Sequence, residues 1–157
     1  MARTPFFARR RATALVDKAH SLDASGAPEL AWLALEEAIR EDPDSFEAEF
    51  LLGRIANDRK AHEMAVGHLE RACRLNAKAS PAFSELGRAY HELQRRAEAE
   101  EAYKKSLALQ DDPYTAINFA TLLRDTGRFG EATELYRRAL ASSKLDAETA
   151  ARIRGML

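Results

Sequence analysis

Phe83-Ser84-Glu85-Leu86-Gly87-Arg88-Ala89-Tyr90 is the stretch that decides the fold. Phe83, Leu86, Gly87 and Tyr90 recur at helical spacing, so they share one face, and Gly87 opens that face to the approach of another helix. The opening repeats. Gly53 provides it one period earlier, and Ala19 and Ala120 extend the series at near-equal steps in both directions. A second series runs through Ala31, Ala65, Ala99 and Ala132 with the same steps. Small residues recurring twice per period mean that two helices meet closely in every unit, so the chain reads as all-α, a succession of helical hairpins.

Four units follow from these series: residues 12–45, 46–79, 80–112 and 113–145. The second helix of each carries its alanine, then a large apolar residue four positions on (Leu35, Leu69, Tyr103, Tyr136). A small residue comes three further along (Ala38, Ala72, Ser106, Ala139). That spacing holds them on one face, where small side chains let axes approach and large ones fill the remaining space. The pattern resembles the tetratricopeptide repeat, a helix–turn–helix unit of about 34 residues. Residues 83–90 match the family's aromatic–Leu–Gly–Tyr spacing, and Ala99 and Tyr103 its second-helix marks. Asn118-Phe119-Ala120, Leu123, Gly127, Ala132 and Tyr136 keep the same register, and Pro43 stands at the closing proline of the first unit. The resemblance implies an α-solenoid, a right-handed superhelix of antiparallel helix pairs.

Departures from the pattern carry information. Lys18 stands where later units have Leu52, Leu86 and Phe119, which predicts that nothing packs on that face and that the first unit is terminal. After the fourth unit, Asp146 is placed to cap a last helix, and Arg154 occupies the close-approach position, so residues 146–157 read as a capping helix. On this reading the array is complete at both ends. Gly26 and Gly127 suit left-handed caps at the ends of first helices, whereas Lys60 and Gln94 stand at the equivalent turns and predict strain or other backbone angles there. Gly67 falls inside a helix, at a cost of about 1 kcal/mol relative to alanine.

Residues 1–11 form a basic lead-in with Arg3, Arg9, Arg10, Arg11 and the pair Phe6-Phe7. It lacks the apolar stretch of a secretory signal and the serines of a transit peptide, so the expected location is cytoplasmic. Phe6-Phe7 is expected to pack on the first unit or to remain disordered. A net charge of -1 over 157 residues gives no general attraction for nucleic acid or an anionic membrane. One cysteine, Cys73, excludes an internal disulfide and reads as a small apolar residue of the second-helix face. Trp32 reads as core.

In the resembled family the first helices line a concave wall that holds an extended peptide or a helix. Carried over by position, that wall takes His20 from the first unit and Glu47, Phe50, Arg54 and Asn57 from the second. Arg88 and His91 come from the third, and Tyr114, Ile117, Asn118, Thr121 and Arg124 from the fourth. Arg54 and Arg88 hold the same site in adjacent units, where guanidinium groups suit carboxylates. Each also has an acid four residues on, Asp58 or Glu92, with which it can pair. The chaperone adaptors of this family grip acidic tails through a Lys, Asn and Arg clamp. The corresponding positions here, Val16, His20, Leu51, Pro81 and Glu85, do not reproduce it; only Asn118 stands where a clamp asparagine could hold a peptide backbone.

Chemistry is not indicated. Histidines 20, 62, 68 and 91 are scattered, with no metal-binding spacing, and no phosphate loop, nucleophile elbow or catalytic carboxylate pair occurs. The basic positions Arg71, Lys104, Lys105, Arg137 and Arg138 alternate with acids and read as a solvated face. The expectation is therefore a non-enzymatic scaffold with a protein or peptide partner. No cofactor, metal or small-molecule substrate is expected, and nucleic acid and membrane are not among the partners. A self-associating assembly factor (a homo-oligomer) and a regulatory module of a separate enzyme are the alternatives.

Overall fold

The computed structural model describes residues 6–157; the first five residues of the basic lead-in lie outside them. Among the described residues there are nine α-helices and no strand. Two compact units divide the chain, Met1–Ala77 and Lys78–Leu157. The first contains α1 (Phe6–Ala24), α2 (Pro28–Glu41), α3 (Phe46–Asp58) and α4 (His62–Leu75). The second contains α5 (Ser80–Glu92), α6 (Arg96–Leu109), α7 (Pro113–Asp125), α8 (Phe129–Leu140) and α9 (Ala147–Arg154). In repeat architectures each unit packs only on its neighbours, so compactness is a local property.

The small-residue positions do what their spacing predicts. A methyl group built on Gly53 would sit 2.4 Å from Leu69 Cγ, and one on Gly87 would sit 2.6 Å from the Tyr103 ring. Leu69 and Tyr103 are almost fully buried, so each glycine is the floor of a socket for a large residue sixteen positions on. Leu35 and Tyr136 are buried in the same register behind Ala19 and Ala120. Ala12, Val16, Ala31, Leu35, Ala48, Leu52 and Ile55 form the core of the first three helices. Each fully buried large apolar side chain contributes about 1.5–3 kcal/mol.

All four hairpins turn in the same way. Gly26, Lys60, Gln94 and Gly127 take positive φ (79°, 60°, 60° and 78°). Each donates its N–H to the carbonyl three residues back, and the next residue donates to the carbonyl five back: Ala27 to Leu22, Ala61 to Ala56, Arg95 to Tyr90, Arg128 to Leu123, all 2.9 Å. This is the six-to-one helix cap normally built on glycine. Of the two options for Lys60 and Gln94, the structure takes strain: both are driven into the left-handed region at about 1 kcal/mol each. Gly67 is exposed within α4, with open space where a side chain would stand.

Helix starts are less uniform. Ser45, Asp112 and Asp146 accept backbone N–H bonds from Ala48, Thr115 and Thr149, so α3, α7 and α9 are capped as their sequences suggest. α5 has no such cap. There Ser80 and Ser106 bond reciprocally, each hydroxyl donating to the other's carbonyl (3.1 and 2.9 Å) inside the α5–α6 hairpin. The lead-in also differs from expectation, because α1 already begins at Phe6, and Phe6 and Phe7 remain 69% and 71% exposed instead of packing.

Candidate peptide-binding walls

In the first unit, α1 and α3 carry the expected wall residues. His20 and Glu47 are exposed, and Phe50 is half-buried, stacked on Phe46 with ring centroids 5.8 Å apart. Arg54 is held by Asp23 of α1, with Asp58 at 3.8 Å on its own helix. Its charge thus ties α1 to α3. The expected Asp58 partner is present, but the nearer acid comes from the preceding repeat. Asn57 is only 4% exposed and 3.4 Å from His62 Nδ1, which makes it part of the packing and corrects its placement on the wall.

A different arrangement lies behind that wall, and sequence reasoning missed it. Glu49 of α3 is almost fully buried, with one carboxylate oxygen 2.7 Å from His68 Nδ1 and the other 2.8 Å from Arg71 Nε, both on α4. Trp32 packs edge-on against His68 and donates its indole N–H to Glu36. It is half-buried and lines an open recess of about 370 Å³ with Ala56, Arg59, Ala61 and Met64, so it is less enclosed than a core residue. The signal for the Glu49 cluster was present in the repeat register: in the next unit the same position is Phe83. Cys73 likewise is half-buried.

In the second unit, α5 and α7 are joined at two levels. Thr115 donates to Ser84 Oγ (2.8 Å), and His91 Nε2 lies 3.1 Å from Asp125. Between these bonds, α5 carries Arg88, paired with Glu85 at 2.8 Å, and α7 carries Asn118 and Thr121. Thr121 bonds the Ile117 carbonyl and approaches the Tyr136 hydroxyl at 3.2 Å. Asn118 is half-buried, and its side-chain amide makes no hydrogen bond among the described residues. Ile117 is 8% exposed and belongs to the core, which corrects its placement on the wall.

Tyr114 and Arg124 are turned to another task. The Tyr114 hydroxyl donates to Asp146 (2.9 Å), and Arg124 reaches Met156 Sδ (3.6 Å), so both hold the segment containing α9 against α7. Bonds from Thr149, together with that from Tyr114, hold the Asp146 carboxyl down at about 2. The same bond to Asp146 raises the Tyr114 hydroxyl above its usual value. Burial likewise pushes up the Tyr103 hydroxyl. Among the described residues no cluster of His, Cys, Asp or Glu could hold a metal ion, and no helix is long and apolar enough to cross a membrane.

Comparisons with known proteins agree with this architecture. No curated protein sequence matches the chain. Among solved structures, MamA is similar at 21% identity and a TM-score of 0.77, over 93% of this chain and 81% of that one. The pilF protein of Pseudomonas aeruginosa is similar at 23% identity and 0.79, over 92% and 68%. The first TPR of Spaghetti (RPAP3), bound to the HSP90 peptide SRMEEVD, gives 19% and 0.74 over 76% and 95%. At these identities the likeness is one of fold, an all-α solenoid. Tetratricopeptide repeat models match residues 16–82, 80–113 and 114–144, registers that coincide with the glycine sockets and the four identical turns. The chain belongs to the tetratricopeptide repeat family.

Proposed function

We propose that this protein is a non-catalytic scaffold that holds a peptide or helix of another protein against its first-helix walls. The α5–α7 wall carries the reading. Two bonds fix its helices against each other, so the surface between them is preorganised and a ligand need not pay to order it. On that surface the Asn118 amide offers both a donor and an acceptor, as a peptide backbone requires. Arg88 beside it favours an acidic residue of the ligand, at the expense of its pairing with Glu85. The peptide-bound RPAP3 fold supports this use of such walls. In the first unit, Phe50 on Phe46, with Glu47 on the same helix and His20 on α1, makes a separate, more apolar wall; Arg54 is engaged in holding α1 to α3. A reducing compartment such as the cytoplasm suits the single cysteine.

Pull-down from the native lysate, followed by titration of the recovered partner, tests this. Asn118→Ala and Arg88→Glu should each weaken binding about tenfold, roughly the loss of one or two good hydrogen bonds, with helicity unchanged. A partner that binds both variants as tightly as the parent would remove the α5–α7 wall from the function.

A further inference from the structure

Phe6, Arg10, Thr13, Ala14, Asp17 and Ser21 are all exposed, on the side of α1 opposite its buried residues Ala12, Val16 and Ala19. A shallow trough of about 500 Å³ runs along this face, lined by Phe6, Arg9, Arg10, Thr13, Ala14 and Asp17. Two arginines are already used: Arg9, at the trough's edge, lies 3.7 Å from Asp42, and Arg11 beside it pairs with Glu41 at 2.6 Å. Arg10 and Asp17 have no ion pair among the described residues; Arg10 lies over the Phe6 ring at 5.8 Å. The two hydroxyls are satisfied by their own helix, Thr13 on the Arg9 carbonyl (3.0 Å) and Ser21 on that of Asp17 (3.3 Å). They can be covered without orphaning a donor.

The spacing of these positions is symmetric, as helical periodicity allows, and the charged pair within it is complementary. About the midpoint between Thr13 and Ala14, Arg10 mirrors Asp17 and Phe6 mirrors Ser21. An antiparallel second copy of α1 would therefore place small residues at the crossing, where axes must come closest, and set Arg10 of each copy opposite Asp17 of the other. Phe6 would lie over the short Ser21. A face that is its own complement is what a two-fold interface requires. We propose that two copies of this chain pair through α1, antiparallel, about an axis between Thr13 and Ala14. This is independent of the peptide walls.

Light scattering across a wide concentration range, with charge-swap variants, tests the pairing. The parent should show a dimer that weakens with salt. Arg10→Asp and Asp17→Arg should each weaken it about tenfold or more by setting like charges together, and the double variant should restore it. Ala14→Arg should abolish the dimer while leaving the circular dichroism unchanged. A strict monomer, a dimer indifferent to these changes, or singles that the double variant fails to rescue would overturn the proposal. So would a monomer that sediments with vesicles containing phosphatidylserine and loses this with Phe6→Ala, which would assign the face to lipid.

Discussion

The α3–α4 and α5–α6 hairpins fill one slot in two chemically opposite ways. Glu49, His68 and Arg71 stand one repeat before Phe83, Ala102 and Lys105. In the first hairpin a buried carboxylate is clamped by an imidazole and a guanidinium. In the second a buried phenyl ring takes that place, the imidazole gives way to alanine, and Lys105 Nζ lies 4.5 Å over the ring. A cation reaches the same group from the same helical position in both, by ion pairing in one and by cation–π attraction in the other. These two hairpins thus share a filled volume with a long cationic side chain above it, and differ in whether the filling is charged. Alanine in place of histidine leaves a small recess of about 170 Å³ over Phe83, Leu86, Tyr90 and Ala102.

The glycine sockets below that slot should be the most sensitive feature of both hairpins. Gly87→Leu drives a branched side chain into the Tyr103 ring and should cost about 3 kcal/mol or more through overpacking. Gly53→Leu should do the same against Leu69. Denaturant unfolding measures both, and a parental midpoint would mean that the helices do not meet where described.

Exchange of the slots is the direct trial of the comparison. His68→Ala leaves Glu49 buried with Arg71 as its remaining side-chain partner and should cost about 2 kcal/mol, less than a fully enclosed pair because Arg71 is half-exposed. Glu49→Phe combined with His68→Ala copies the later hairpin and should return to within about 1 kcal/mol of the parent. If the double variant is no better than His68→Ala, the two slots are not interchangeable and the shared register is superficial.

The turns permit a finer comparison. Gly67→Ala should raise stability by about 1 kcal/mol, since the site is helical and open. Lys60→Gly and Gln94→Gly should each gain a few tenths to about 1 kcal/mol by relieving positive φ, while Gly127→Ala loses about as much. Thermal melts of the three turn variants should show gains and losses of opposite sign at equivalent turns, with Gly67→Ala as the helix-interior reference.

The smallest effect is confined to the second unit. The Asp146 carboxyl, at about 2, titrates below an ordinary aspartate near 3.9. Its support for α9 is therefore complete above about pH 4 and is lost as pH falls toward 2. Amide exchange at α9 should accelerate over that window. Asp146→Asn should remove the pH dependence; exchange that stays flat in the parent would separate α9 from this carboxylate.

Much of the fold was legible because a glycine or alanine at the same place in every repeat reports a backbone approach that no larger residue permits. The site was legible only in part. Arg54 and Arg88 were readable as paired cations, yet their close partners, Asp23 and Glu85, depend on which rotamers the neighbouring helices leave open. Tyr114 and Arg124 were assigned to a ligand because the residues they meet, Asp146 and Met156, lie far along the chain on a segment whose docking no local pattern fixes.

By itself, then, the sequence determined the helices, their pairing and the sockets, since periodicity and side-chain volume act over one or two turns. Only the tertiary structure decided that Ile117 and Asn57 are packing, that Lys60 and Gln94 are bent to a glycine's geometry, and that Glu49 is enclosed by an imidazole and a guanidinium. Those outcomes turn on contacts between elements, where the energy of a whole hairpin overrides the preference of a single residue.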